Sequence, residues 1–544
     1  MSSPYSYDVS MFRETFETQY TYLNGFLRNV RRFGNRPALH DPKSGCRWTY
    51  KELNAAANRL AHALRADGVG KNDVVMFALL NSPEFIFFYL AAHKIGAIAC
   101  PVNYRQGAGE IALVLEDSCP KVFAYDAQFP SLCQHALKLS SHSPSRTIVT
   151  QTDTPQTDAC PYESYVAQQP ETDPPIDFEP HIYDETTRLY TSGTTSRPKG
   201  VPINNINEIL SAHDVIMHFP LTPTDRTMNM TPWFHRGGIH SGGPCPTLYV
   251  GGEVVILRDF QPHTCLQYAE QYQVTFLIGV PTILAMLART QERTPVDLSS
   301  LRGIVTMGAP FEKAACEKYR KLLTPNIFNG YGTTETFWNT FLRPYDLPDR
   351  SGSAGRACTD DDVRVVAVHA DGHHAEPEEI VPHDNTTAGE VIIRSPAKSA
   401  FCYYNNADLT AQKFYKGWLY TGDMATWDEN EFVTICGRKD DMIVSAGENI
   451  YPTQIEAVLN QHPKVQESAV IGIPDKLRGE SVSAYVIPSD NSLTVAELKD
   501  YCSHSPMLSA YKCPRLYTIV SELPHTATGK LMHYQLRQQV LSHL

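Results

Sequence analysis

Apolar positions recur at helical spacing in WTYKELNAAANRLAHALRADGVG. Leu53, Ala57, Leu60 and Leu64 fall on one face there, and Gly68 supplies a stop. The pattern then becomes an unbroken run, VVMFALL (74–80), which predicts a buried strand, and Ser82-Pro83 opens the next helix. AIAC (97–100) predicts another strand, ended by Pro101. Strand, helix and strand at this spacing predict an α/β domain with largely parallel strands. The same signals return in GGEVVIL (251–257), TFLIGV (275–280) and LRGIVTMGA (301–309). The stretch between them at 150–175 is polar and rich in Pro and Thr, and reads as a surface excursion without functional role. From about residue 440 the character changes to a smaller α+β unit, with QIEAVLNQ (454–461) as a helix start and SAYVIP (483–488) as a strand.

A chain of 544 residues exceeds one hydrophobic core, and 42% apolar with 19% charged residues is ordinary for a folded soluble protein. The net charge of −12 disfavours a nucleic-acid partner. Thirteen cysteines without a C-x-x-C pair suit reduced thiols better than a disulfide frame or a zinc site. The N-terminus has no signal-peptide pattern, and the richest apolar window, FIFFYLAA (85–92), is too short to span a bilayer. A cytoplasmic protein is expected. Ser542-His543-Leu544 is a variant of a peroxisomal address, which keeps that compartment as the lesser alternative.

The chemistry starts at TSGTTSRPKG (191–200). Two glycines, a run of hydroxyls and one lysine are the vocabulary of a phosphate-binding loop. A Walker A loop needs Gly before its Lys and Ser or Thr after it, whereas Pro198 precedes Lys199 and Gly200 follows. Proline also removes a backbone N–H that a phosphate cradle would use. What remains is a hydroxyl-rich hairpin between TRLY (187–190) and VPI (201–203), in which Thr191, Ser192, Thr194, Thr195 and Ser196 are expected to wrap the β- and γ-phosphates with Lys199 as countercharge, a polar surface turn being the alternative.

With MGAP (307–310), NGYGTTE (329–335), the T-G-D of WLYTGDMATW (418–427), GRKDDMIVSAGEN (437–449) and LPHTATGK (523–530) following in order, the chain resembles the adenylate-forming superfamily. That superfamily holds acyl-CoA synthetases, aryl-CoA ligases, adenylation domains and luciferases. The likeness runs from about residue 48 to 530, and Ser196 stands where the family usually has Gly. It implies a large N-terminal domain of mostly parallel mixed sheets flanked by helices (1–439) and a small, mobile α+β C-terminal domain (440–544), hinged near Asp440.

The resemblance also implies roles. The loop Thr191, Ser192, Gly193, Thr194, Thr195 and Lys199, the turn Gly308, Ala309 and Pro310, and Asn329, Gly330, Tyr331, Gly332 and Thr333 bind the nucleotide. Asp423 accepts the ribose hydroxyls, Arg438 adds a second ribose or phosphate contact, Thr334 contacts the α-phosphate, and Glu335 holds magnesium, as a hard cation prefers. Lys530 bridges the acid's carboxylate and the α-phosphate, and His235 stands beside them. Gly447 lines the pantetheine tunnel once the small domain has rotated. His235, Ile239, Met307, Thr336, Phe337 and Trp338 form an apolar acyl pocket suited to a fatty, aromatic or alicyclic acid. Arg236 is expected to be an exposed loop arginine, with pairing to a second carboxylate of the acid as the alternative.

The implied reaction uses ATP and Mg2+ to turn a small-molecule carboxylic acid into an acyl-adenylate, then transfers the acyl group to coenzyme A. The SAGENIYP spelling and the end of the chain at Leu544 favour coenzyme A over a carrier protein. A stand-alone carrier-loading enzyme is the alternative, followed by a luciferase-like oxygenase and a non-catalytic nucleotide-binding protein. A homodimer is the assembly to consider.

Overall fold

The computed structural model describes residues 9–152, 154, 159–191, 198–307, 313–369, 373–445, 448–475, 478–505, 508, 512–525 and 531–542. These form two compact units, 1–363 with 393–419, and 364–392 with 420–544.

The first unit is built on two large sheets. In the seven-stranded sheet, Cys160–Pro161, Arg146–Thr150, Val122–Asp126, Val74–Ala78 and Ile98–Pro101 run parallel to one another and to β1 (Glu185–Thr191). An antiparallel strand, β2 (Lys199–Asn204), closes its edge. The run at 74–78 is buried at every position, as its unbroken apolar sequence requires. Two helices pack beside it. Tyr50–Ala66 starts in a capping box formed by Thr49 and Glu52, and Pro83–Lys94 starts from a Ser82 hydroxyl that accepts from Phe85 N–H at 3.4 Å. The stretch 85–92 is thus a buried helix.

Helix α1 (Asn205–His218) and the short α2 (Arg236–His240) lead into the nine-stranded sheet. Its parallel core holds Arg226–Asn229, Glu253–Val255, Phe276–Gly279, β3 (Gly303–Met307) and β4 (Ile327–Thr333). Pro37–Asp41 extends that core beside Glu253–Val255. The sheet then reverses direction at β5 (Phe337–Leu342), antiparallel to β4. Parallel strands with helical crossovers leave their carboxyl ends open for ligands, and β3, β4 and the β4–β5 turn all lie at such ends.

One expectation is corrected. The polar stretch at 150–175 is more than a surface excursion: Ala159, Tyr162 and Val166 are buried in the main core cluster, and the Tyr162 ring lies 6.0 Å from Phe88. Asp173 also binds the buried Lys94 ammonium at 3.0 Å. Few apolar side chains anchor a long polar segment when each fills a core position.

In the second unit, β6 (Trp418–Trp427) carries its residues from Tyr420 onward beside β7 (Val433–Arg438). A separate sheet joins Ile443–Ser445, Glu448–Ile450, Val465–Asp475 and Gly479–Pro488 in antiparallel pairs, with Leu516–Ile519 parallel to the last. Helices Pro452–Leu459 and Val495–His504 contribute Ile455, Leu459 and Leu498 to its core. All thirteen cysteines are free thiols, and none of the described helices is long and apolar enough to cross a membrane.

Candidate active site

In the first unit the strands on either side of the hydroxyl-rich stretch pair with each other as a stem. Thr191 and Lys199 are register partners that end β1 and begin β2. The stem is braced from outside: Tyr404 N–H donates to the Gly200 carbonyl at 2.8 Å, the Arg188 guanidinium lies 3.3 Å over the Tyr404 ring, and Tyr190 Oη donates to Asp117 at 2.5 Å. Arg188 is itself fixed by two 2.7 Å bonds to Glu185. Ser192, Gly193, Thr194 and Thr195 lie outside the described residues, as do Gly308, Ala309 and Pro310.

The β4–β5 turn presents the acid-bearing motif. A Cβ on Gly332 would sit 1.7 Å from the Phe337 carbonyl, so only glycine lets the two strands close. Phe337 adopts φ +63°, a costly conformation for an aromatic residue and one typical of functional turns. Hydroxyls hold that turn: Thr336 N–H donates to Thr333 Oγ1 at 3.2 Å, and Thr336 Oγ1 donates to Asn339 at 2.7 Å. Glu335 Oε1 accepts from Tyr403 Oη at 2.6 Å. Its partly buried carboxylate is a hard oxygen donor that fits a magnesium ion. Asn329 and Tyr331 leave the opposite face of β4 from Gly330 by strand alternation, and Asn329 Oδ1 accepts from Thr306 at 2.7 Å.

His235 caps α2. Gly238 N–H and Ile239 N–H both donate to its carbonyl, at 2.9 and 3.0 Å. A Cβ on Gly238 would approach the Pro232 carbonyl to 1.9 Å, which explains the glycine there. Burial, with the Arg105 charge adding to it, pushes the His235 imidazole down to about 4, so it is neutral at pH 7. Its Nε2 has no hydrogen-bond partner among the described residues.

Arg236 is not an exposed loop residue. It is 3% exposed and donates to the Thr334 carbonyl at 2.5 Å, the Lys398 carbonyl at 2.8 Å and Ser211 Oγ at 3.3 Å. It thereby ties the His235 segment to the turn that bears Thr334 and Glu335. Lys398 is buried beside it, donating to Asp214 at 2.9 Å, Asp361 at 2.8 Å and the Trp338 carbonyl at 2.6 Å. Sequence reasoning missed Tyr403 and Lys398 and misplaced Arg236. The adjacency of Arg236 to His235 was the one available signal.

Of the expected acyl-pocket residues, Met307, Phe337 and Trp338 share one apolar cluster, whereas Ile239 belongs to the cluster around Trp233 and Phe234. Phe337 and Trp338 stack at 5.0 Å. Thr336 is spent on the turn bonds given above.

In the second unit, Asp423 and Arg438 face each other across β6 and β7, joined by a 2.7 Å ion pair, and Arg438 also donates to the Thr421 carbonyl at 3.0 Å. Asp440 is exposed in the one-turn helix Lys439–Asp441 that follows β7. Gly447 and Lys530 lie outside the described residues.

Comparison with known proteins fits these observations. The family of AMP-binding enzymes matches residues 26–404, and the C-terminal domain of that family matches 454–530. A feruloyl-CoA synthase of an Amycolatopsis species is 31% identical over 500 residues, spanning 91% of this chain and 94% of that protein. A long-chain-fatty-acid–CoA ligase of Mycobacterium tuberculosis is 31% identical over 505 residues, spanning 92% and 95%. Among solved structures, the anthranilate CoA ligase AuaEII in complex with anthranoyl-AMP superposes with a TM-score of 0.86 at 27% identity, covering 97% of this chain and 99% of that one.

Proposed function

Because this chain belongs to the AMP-binding enzyme family and is an AMP-forming acyl-CoA synthetase, we propose that it activates an aromatic monocarboxylic acid and hands it to coenzyme A. The observation that carries the choice of acid is the Phe337–Trp338 stack within the apolar cluster that Met307 packs against, an aromatic surface suited to a ring.

A carboxylate cannot expel oxide, so the acid must first gain a better leaving group. The acid's oxygen attacks the α-phosphorus of ATP, the new P–O bond forms as the bond to pyrophosphate breaks, and an acyl-adenylate results. Catalysis here is alignment and charge stabilisation. Lys530 would offset repulsion between carboxylate and phosphate, and the loop from Thr191 to Lys199 would hold the β- and γ-phosphates. Asp423 and Arg438 would engage the ribose. Glu335, steadied by Tyr403, would hold magnesium, which neutralises phosphate charge when bound. Neutral His235 packs beside the acid without adding a charge.

In the second half-reaction the thiol sulfur attacks the acyl carbonyl, the C–S bond forms and AMP leaves. Lys530 must vacate the site for this, and Asp440, in the stretch between the two family matches, is the proposed hinge. Gly447 then opens the path for pantetheine.

The test is thioester formation coupled to AMP from ATP, coenzyme A and a panel of acids. Lys530→Ala is expected to cut acyl-adenylate formation by about a hundred-fold or more. An undiminished rate in that variant would refute the assignment.

A further inference from the structure

The polar stretch at 150–175 runs on into a segment that lines a second cavity. This space of about 310 Å³ lies in the first unit, between the helices Tyr22–Phe33 and Pro83–Lys94 and residues 173–186. Its lining shares no residue with those assigned above to nucleotide, acid or coenzyme A. The wall is largely apolar: Leu23, Leu27 and Ala97 come from the body of the unit, and Pro174, Ile176 and Phe178 from the covering segment. Its volume falls within the range of small-molecule sites and far exceeds the voids left by ordinary packing.

The covering segment is fixed along its length. Asn58 Nδ2 donates to the Glu171 carbonyl at 2.6 Å, Arg65 pairs with Asp177 at 3.4 Å, and Lys71 Nζ donates to the Glu179 carbonyl at 3.2 Å. A Cβ on Gly96 would lie 2.7 Å from the Phe178 ring, so glycine is what lets that ring close on the chain.

One charged group reaches this wall with hydrogen-bonding capacity to spare. Lys94 is 3% exposed, and among the described residues its ammonium donates only to Asp173, at 3.0 Å. An ammonium carries three donors, so two are left for a molecule in the cavity, and buried donors seldom stay unpaired. The acids of the lining are already matched: Asp173 by Lys94, Asp184 by Lys71 at 2.9 Å and Glu185 by Arg188 at 2.7 Å. An anion in the cavity would meet carboxylates whose cations are taken, and a cation would meet the Lys94 ammonium. A neutral molecule with an oxygen acceptor suits the apolar wall and the spare donors together.

We infer that this cavity is a second small-molecule site, separate from the acid pocket, for a neutral and mostly apolar molecule whose carbonyl or ether oxygen accepts from Lys94. The inference is independent of which acid the enzyme activates.

The probe is prodan, a neutral naphthyl ketone whose emission reports its surroundings, held at fixed concentration and titrated with the full-length protein. One-to-one binding with a Kd below about 100 µM is expected. Lys94→Met removes the donors and leaves Asp173, whose side chain is 64% exposed, to solvent. It should weaken binding about ten-fold or more. Leu27→Trp fills the cavity and should weaken binding at least as much, whereas Trp338→Leu, in the acid pocket, should leave it unchanged. Prodan unbound by the wild type, or bound as tightly by both cavity variants, overturns the site. A Kd unmoved by Lys94→Met alone overturns the choice of acceptor. Weakening by Trp338→Leu to the same extent as by the cavity variants puts the dye in the acid pocket and overturns the inference.

Discussion

Arg236→Met is the most informative perturbation of the candidate site. The variant keeps an apolar stem but removes the donors that serve the Thr334 carbonyl at 2.5 Å, the Lys398 carbonyl at 2.8 Å and Ser211 Oγ at 3.3 Å. Each buried carbonyl left unpaired costs about 1–3 kcal/mol. Two carbonyls therefore set a gross loss of about 2–6 kcal/mol. Against this stands relief from burying a guanidinium, whose desolvation is large enough to lower the Arg236 pKa to about 10. The net loss of stability should be about 2–3 kcal/mol, read as a lower denaturant midpoint. The functional effect is separate. Freed from its tether, the Thr334–Glu335 turn would hold magnesium less well, and the Mg2+ concentration for half-maximal pyrophosphate release should rise about ten-fold, or about 1.4 kcal/mol. Arg236→Lys keeps the charge without the planar fork and should fall between. A Met variant with wild-type midpoint and wild-type Mg2+ dependence would refute the claim that Arg236 holds this turn. Glu335→Gln serves as control: if it also leaves Mg2+ dependence unchanged, the fault lies with the magnesium assignment.

Two further outcomes follow from buried charges. Lys398→Met strands Asp214 and Asp361 in the interior and should cost about 3–5 kcal/mol in chemical denaturation. Burial alone would lower the Lys398 amine, but Asp214, Cys358 and Asp361 raise it to about 12, so its contribution is full below about pH 10.5 and fades as pH rises through 12. The wild type should lose stability across that alkaline window, and an equal loss in the Met variant would argue against the pairing. For His235 the sign is opposite. A folded value near 4 against 6.5 for the free side chain means stability is full above pH 6.5 and lost as pH falls toward 4. The wild type should weaken more than His235→Phe between pH 7 and pH 5, and adenylation should show no inflection near 6.5 that vanishes in the variant.

Much of the fold was legible because the signals are local. A strand buried on both faces must be apolar throughout, as at 74–78, and a helix that packs on one side must repeat its apolar positions, as from Leu53 to Leu64. The motifs proposed to carry the chemistry left a local mark of the same kind. The tight β4–β5 turn admits nothing but glycine at 332, so chemistry that depends on such a backbone leaves its mark in consecutive residues.

Burial of a polar side chain has no such local signature. Arg236 is held by acceptors 98 and 162 positions away, and Lys398 pairs with Asp214 across 184 positions, so beyond the adjacency of Arg236 to His235 nothing in either neighbourhood distinguishes them from solvated residues. The Glu208–His240 pair, 32 positions apart, escaped notice for the same reason. The proposed nucleotide contacts lie in short motifs of adjacent residues. Choice of acid depends on side chains that meet only after folding. Reaction class is therefore the part of function that a single sequence yields first, and substrate the part that waits for contacts such as the Phe337–Trp338 stack.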